Sequence, residues 1–143
     1  MAPAAQERTL ASRLRLAVVR LNRRLRAQHP SSGISLTQLS AMSTLHKCGA
    51  MSPGKLAAKE GVQPPSMTRV IAALEQQGYV ERSAHPTDGR QAIVELSETG
   101  MAYMRATISA REAWLDEQLA GLSPAERKTL GRASEIIERI AEQ

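Results

Sequence analysis

The sequence predicts a mainly helical α+β protein in which one short β-hairpin interrupts a series of helices. Six segments repeat apolar residues at the three- and four-residue spacing of amphipathic helices. Residues 79–97 instead hold two short apolar runs separated by Pro and Asp-Gly, a pattern typical of two strands joined by a turn. The chain has 143 residues, enough for one packed domain, which we expect to span residues 1–143.

The first predicted helix covers residues 9–28 and ends before Pro30. Its apolar side chains form one stripe, and arginines occupy the remaining faces. We interpret these arginines as the solvated face of a packing helix rather than as contacts to an anionic partner, because the apolar stripe is so long. The stripe consists of Leu10, Leu14, Val18, Leu21 and Leu25, and the arginines are Arg8, Arg13, Arg15, Arg20, Arg23, Arg24 and Arg26.

The second predicted helix follows the loop HPSSG and covers residues 35–47. Ser35 and Gln38 have the spacing of a capping box, in which each side chain bonds the backbone N–H of the other. Gly49 stands where a glycine commonly ends a helix. The residues expected to face inward are Leu36, Leu39, Met42 and Leu45.

Two short helices joined by a tight turn come next. Ser52 is suited to cap the first of them, Pro53 to occupy its first position and Gly61 to end it. The second helix opens almost at once, within QPPSMTRVIAALEQQG. Two short helices with a glycine-containing turn between them predict a helix-turn-helix motif.

The second helix of this motif has two chemically different faces. A helix that enters the major groove of DNA needs a slim outer face with hydrogen-bond donors near its N-terminus. The pattern alone fits an ordinary exposed amphipathic helix equally well, so the neighbouring segments decide. The outward residues are Pro65, Arg69, Ala72 and Gln76, flanked by Ser66 and Thr68, and the inward residues are Met67, Val70, Ile71 and Leu74.

The predicted hairpin directly follows this helix, which makes it a wing. Residues 79–83 and the alternating residues 92–96 form its strands, and AHPTDG supplies the turn. Arg90 at the tip is placed to reach the adjacent minor groove, where negative potential concentrates, and Asp88 to hold its guanidinium in one orientation. The alternative is that Asp88 and Arg90 only close the turn as a surface ion pair of little energetic value.

Two further helices are predicted at the C-terminal end, the first capped by Ser97 and the second by Ser123 with Pro124 and Glu126 behind it. With the stripe of the first helix, their apolar faces leave more hydrophobic surface than a monomer of this size should expose. This excess predicts a two-fold homodimer. The apolar residues are Met101, Met104, Ile108, Leu115 and Leu119 in one helix and Leu130, Ala133, Ile136, Ile137 and Ile140 in the other.

Composition and charge limit the class of partner. The formal net charge is +5, and residues 1–97 carry 13 of the 19 lysines and arginines, which points to an anionic partner. The chain has no Phe, one Trp and two Tyr, so it has little with which to build the stacking platform of single-strand and RNA binders. Duplex DNA is therefore the expected partner.

Several other classes are not expected. The start MAPAAQ lacks the apolar centre of a signal peptide, and no apolar run approaches membrane-spanning length, so we expect a cytoplasmic protein without a membrane partner. Cys48 is the single cysteine, which excludes an internal disulfide and a cysteine cluster for zinc. We expect neither a metal nor a cofactor.

The hairpin and helix-turn-helix together resemble those of MarR-type (multiple antibiotic resistance) regulators. DGRQAIVELSETG is similar to the family's wing signature D-x-R-x-x-x-V-x-L-[ST]-x-x-G. LAAKEGVQPPSMTRVIAALEQQGYVER resembles the family's helix-turn-helix and its exit into the wing, and with the flanking helices the resemblance covers nearly the whole chain. The signature positions are Asp88, Arg90, Val94, Leu96, Ser97 and Gly100.

The resemblance implies a winged helix-turn-helix lobe at residues 35–97, with residues 9–29 and 98–142 forming a homodimerisation domain. It implies a sequence-specific transcriptional regulator of duplex DNA, usually a repressor that a small-molecule effector often releases. A two-fold dimer is expected to recognise an inverted repeat with half-sites about one helical turn apart. The operator, the genes and the effector do not follow from the sequence.

The resemblance also implies which residues contact DNA. Gln63 departs from the family pattern, because it stands at the cap position of the recognition helix where the family usually has Ser or Thr. Major-groove contacts fall on Pro65, Ser66, Thr68 and Arg69, backbone contact on Gln76, the minor-groove contact on Arg90 with Asp88 positioning it, and phosphate support on Ser52 and Lys55.

Three other functions fit the sequence less well. Catalysis is disfavoured because His29, His46 and His85 are scattered and no Gly-rich phosphate loop is present. A redox sensor would rest on Cys48, which we instead expect to be a small buried hydrophobe without a second thiol to resolve it. A nonspecific architectural protein is disfavoured because residues 30–97 hold 6 basic and 5 acidic residues, too even a balance for electrostatic coating of DNA.

Overall fold

A computed structural model of the chain describes residues 9–28 and 33–143. The MAPAAQ stretch, Arg8 and all but the last residue of the HPSSG loop lie outside the described residues. Within them the order is four helices, a hairpin and two helices. The elements are α1 (Leu10–Arg26), α2 (Leu36–Cys48), α3 (Pro53–Glu60), α4 (Pro64–Gln76), β1 (Val80–Ala84), β2 (Ala92–Leu96), α5 (Glu98–Ala120) and α6 (Pro124–Ala141).

The described residues divide into two compact units. One contains residues 33–109 and is called the lobe below; the other contains residues 9–28 and 110–143 and is called the helical unit. Helix α5 contributes its first part to the lobe and its remainder to the helical unit.

The predicted helix caps are confirmed. Ser35 and Gln38 form a capping box in which each side chain bonds the backbone N–H of the other at 3.1 Å. Ser123 and Glu126 form a second box with the same geometry. These bonds satisfy donors that a helix start leaves unpaired, which explains why both helices begin where the sequence indicates.

The lobe packs α2, α3 and α4 against the hairpin and the start of α5. Two predictions about α2 are wrong: Leu36 is 61% exposed, and Cys48 is exposed rather than buried. They are the first and last residues of α2, so they lie beyond the part of the helix that packs on the core. The core consists of Leu39, Ala41, Met42, Leu45, Met51, Leu56, Ala57, Met67, Ile71, Leu74, Val80, Val94, Tyr103 and Met104.

The hairpin is antiparallel, with Val80 opposite Leu96 and Arg82 opposite Val94. Its first strand begins one residue later than predicted, because Tyr79 N–H donates to Leu74 O at 2.9 Å and thereby closes the end of α4. Met51 exchanges two backbone hydrogen bonds with Val94, at 2.8 and 3.1 Å, and so joins the far side of β2 to the loop before α3. The wing is therefore anchored at its base along both strands.

The start of α5 locks onto the end of α4. Ser97 Oγ accepts from Gly100 N at 3.0 Å, as the predicted cap, and donates to Gly78 O at 2.5 Å. Gly100 lies so close to the backbone of Tyr79 that a Cβ there would overlap the Tyr79 carbonyl oxygen. The end of α4 and the start of α5 are thus held by one buried serine hydroxyl.

In the helical unit, neither α1 nor α6 buries any residue. Arg24 packs its guanidinium over the ring of Trp114 at 5.3 Å from the centroid, which is a cation–π contact. Across the described ranges, the helices include none with the length and apolar character needed to cross a membrane.

Candidate nucleic-acid interface

The helix-turn-helix is built from α3, a three-residue turn and α4. Gly61 adopts a left-handed backbone with φ of 64°, and Val62 N–H donates to Ala57 O at 3.1 Å, which ends α3. Val62 packs against the lobe core, so the turn is held by a side chain as well as by backbone bonds. Gln63 caps α4 without a side-chain hydrogen bond, as its residue type predicts, and Pro64 begins the helix.

The two faces of α4 are as the sequence predicts. Met67, Ile71 and Leu74 are buried and fix the helix on the core, with Val70 partly buried beside them. The predicted outward residues are all exposed: Pro65, Ser66, Thr68, Arg69, Ala72 and Gln76.

The first turns of α4 bring most of the predicted base-contacting residues together. Thr68 Oγ1 donates to Pro64 O at 3.0 Å, which leaves its oxygen able to accept a further hydrogen bond. The guanidinium of Arg69 makes no hydrogen bond or ion pair with another residue of the described ranges. Gln76 lies about 16 Å along the helix from Pro65, so it belongs to the opposite end of the surface.

Ser52 and Lys55 lie in the first turn of α3. Ser52 is the N-cap, and its Oγ accepts from Lys55 N at 3.2 Å. The hydroxyl proton of Ser52 stays available to donate, and the exposed Lys55 ammonium is free to approach a phosphate.

At the wing tip, the role of Asp88 differs from the predicted one. Its Oδ1 accepts the backbone N–H of Arg90 at 3.1 Å, and no ion pair joins the two side chains. Asp88 therefore holds the backbone of Arg90 and not its guanidinium, because an Asp side chain in a turn readily bonds the N–H two residues ahead. The Arg90 side chain is exposed.

His85 organises the same turn and was missed in the sequence. Its Nδ1 accepts the backbone N–H groups of Thr87 and Asp88, each at 3.1 Å, and lies 3.1 Å from Thr87 Oγ1. The imidazole thus accepts backbone N–H groups of the turn, as an Asn or Asp side chain commonly does. The only sequence signal for this role is the His-Pro-Thr-Asp order.

An ion pair between Glu75 and Arg82 was also missed. Arg82 Nε donates to Glu75 Oε1, so the last turn of α4 is joined to strand β1. The two residues belong to different elements on either side of a turn, and the helical and strand periods relate only residues of one element, so neither period indicates this contact.

A helix-turn-helix with an exposed polar face, followed directly by a β-hairpin wing, defines a winged-helix DNA-binding protein. Comparison with known proteins agrees. The MarR family model matches residues 34–92. An HTH-type transcriptional regulator of Mycobacterium bovis is 51% identical over 134 residues, covering 94% of each chain.

Solved structures share the fold. A structure from Pseudomonas aeruginosa described as a transcriptional regulator superposes with a TM-score of 0.83 at 29% identity, covering 94% of this chain and 95% of that one. A MarR family protein from Bacillus stearothermophilus superposes with a TM-score of 0.78 at 22% identity, covering 94% of each. The chain belongs to the MarR family of DNA-binding transcriptional regulators. It is accordingly a regulator and not an enzyme.

Proposed function

We propose that this regulator is a homodimeric repressor that binds an inverted repeat in duplex DNA, with α4 in the major groove and the wing in the minor groove. The outward face of α4 carries the proposal. It is exposed, narrow and polar, and its one cation, Arg69, has no partner among the described residues. A guanidinium presented in this way suits bidentate pairing with a guanine edge.

The apolar faces of α1 and α6 support the homodimer. In a single chain Leu10 is 76% exposed and Ile140 is 59% exposed. The two helices line an open, mostly apolar groove of about 430 Å³ whose walls include Leu14, Val18 and Ile137. A second copy covering this groove would remove these side chains from water.

The wing supports a minor-groove contact. Arg90 is exposed at the tip, and the bonds from Asp88 and His85 restrict the backbone that carries it. A restricted arginine loses less conformational freedom on entering a narrow groove.

Repression follows from binding of the dimer to a promoter, because the bound dimer blocks access of the polymerase to that DNA. A small-molecule effector that releases the dimer is part of the same proposal and rests on the family resemblance. In vitro transcription from a promoter carrying the selected repeat should fall as the protein is added, and unchanged or increased transcription would contradict repression.

The dimer is tested by light scattering. The wild-type chain should have twice the mass of one chain at micromolar concentration, and Ile137→Asp should shift it to the monomer because a carboxylate cannot be buried unpaired. Lys128→Asp is the matched control, since nine residues place it on the opposite side of α6. A wild-type monomer would contradict the proposal.

Readout by α4 is tested with a duplex that the wild-type protein selects from a random library and a scrambled duplex of the same composition. Arg69→Ala should cost roughly 1–3 kcal/mol on the selected duplex and much less on the scrambled one. Lys59→Ala, an equal loss of charge at an exposed residue of α3, should affect both duplexes slightly and equally. Equal losses for Arg69→Ala on both duplexes would reassign it to phosphate contact.

A further inference from the structure

Arg82 lies where the hairpin leaves the lobe core. Alternate residues of a strand share a face, so Arg82 is on the same face as buried Val80, and its cross-strand partner Val94 is fully buried. Beyond it, Ser83 and Ala84 are exposed. Arg82, itself exposed, therefore lies on the core-facing side of β1 just beyond Val80, the one buried residue of that strand.

The backbone between α4 and β1 is short. It consists of Gln77, Gly78 and Tyr79, with Gly78 at a φ of 81°. Gly78 N–H donates to Glu75 O at 3.0 Å and Tyr79 N–H to Leu74 O at 2.9 Å, so these bonds close the helix and hold the base of the hairpin, but neither involves a residue of β1 itself. The Glu75–Arg82 ion pair adds a direct side-chain connection between α4 and β1, the two elements that these three residues join.

A contribution to folding stability does not explain the Glu75–Arg82 ion pair well. The two side chains are 40% and 35% exposed, and exposed ion pairs contribute little to folding. Glu75 also lies near the C-terminus of α4, where the helix dipole disfavours a carboxylate. It connects two different elements, whereas the Arg132–Glu135 pair lies within α6.

We propose that Glu75 and Arg82 are positioning residues for DNA recognition. Their ion pair sets the direction of the wing relative to α4, and so the spacing between the contacts of Arg69 and those of Arg90. This inference rests on the proposed function, in which both arginines contact one DNA site. Recognition groups on two elements act together only when their relative placement is held within a fraction of an ångström.

The test measures binding of fluorescent duplexes by anisotropy, using the selected duplex and its scrambled control. Glu75→Gln and Arg82→Gln should each weaken binding to the selected duplex roughly tenfold. The double variant should lose no more affinity than either single variant, because the two residues act as a unit. Binding of the scrambled duplex should change less than about twofold. Glu81→Gln is the matched control, because it removes a carboxylate from the next residue of β1, where the structure has no ion pair, and should bind as wild type.

Introducing Arg90→Ala into the wild-type protein and into Glu75→Gln separates positioning from a general structural effect. The change should weaken binding to the selected duplex in the wild-type protein and have little further effect in Glu75→Gln, because the wing is already misplaced there. The charge-swapped double variant, Glu75→Arg with Arg82→Glu, restores the pair and should recover most of the affinity. This variant also serves as the test should either glutamine variant fail to fold.

Other outcomes overturn the inference in distinguishable ways. If Arg82 contacts a phosphate, Arg82→Gln weakens both duplexes and lowers the salt dependence by about one counterion, while Glu75→Gln strengthens both. If Arg90→Ala weakens binding equally in wild-type and Glu75→Gln proteins, the positioning role fails and the proposed wing contact stands. If Arg90→Ala has no effect in the wild-type protein, the proposed wing contact fails and the positioning role with it.

Discussion

Replacing Ser97 by Ala should destabilise the lobe without altering its surface. The change removes the bond to Gly100 N, whose donor is buried, and the bond to Gly78 O, which is partly exposed. An unmatched buried N–H costs about 1–2 kcal/mol, and the loss of the partly exposed bond costs about 0.5–1 kcal/mol. The expected loss in free energy of unfolding is therefore about 1.5–3 kcal/mol.

Equilibrium urea unfolding followed by circular dichroism measures this loss. With a slope of about 2 kcal/mol per molar urea, the midpoint should fall by about 0.8–1.5 M at one fixed protein concentration. Ser43→Ala is the matched control, since Ser43 Oγ only donates to Leu39 O within α2, at 2.9 Å, and should change stability by less than about 0.5 kcal/mol. Equal, small shifts for the two variants would refute the argument that Ser97 locks α5 to α4.

Three further predictions concern single side chains. Gly100→Ala should destabilise by at least about 2 kcal/mol in the same assay, because its Cβ would overlap the Tyr79 backbone, whereas Gly54→Ala, with open space around it, should be nearly neutral. His85→Ala should weaken binding to the selected duplex several-fold with little change in melting temperature, and His85→Asn should retain it, since the amide oxygen also accepts backbone N–H groups; a loss of the same size in both would exclude the turn acceptor as the cause. Glu60→Ala should cost about 1–2 kcal/mol by urea unfolding, because the hydroxyls of Ser40 and Thr44 donate to its carboxylate and are only partly exposed, and an unchanged midpoint would contradict this.

The helices and their faces were predictable because they depend on local information. Caps such as Ser35 and Ser123 act within three residues, and the buried stripe of α4 repeats at the helical period. The exposed polar side of α4 follows from the same pattern, since the period that buries Met67 exposes Arg69. The individual DNA contacts remain predictions.

The features that could not be predicted depend on contacts between residues far apart in the sequence, or on two groups that compete for the same side chain. Met51 bonds to β2 across more than forty residues, and Tyr103 and Thr107 are buried at positions that the apolar pattern of α5 did not indicate. Asp88 had two partners within reach, the guanidinium and the backbone N–H of Arg90. The backbone bond forms because it needs no long side chain to be ordered.

The turn bonds of His85 also determine where its ring carries a hydrogen. Because Nδ1 accepts two backbone N–H groups, it holds a lone pair, and the neutral imidazole is the Nε2–H tautomer. The Thr87 hydroxyl must then be the donor in its contact with Nδ1. The tip of the wing thus carries an aromatic N–H five residues before Arg90, and nitrogen NMR shifts of the ring would report this tautomer directly.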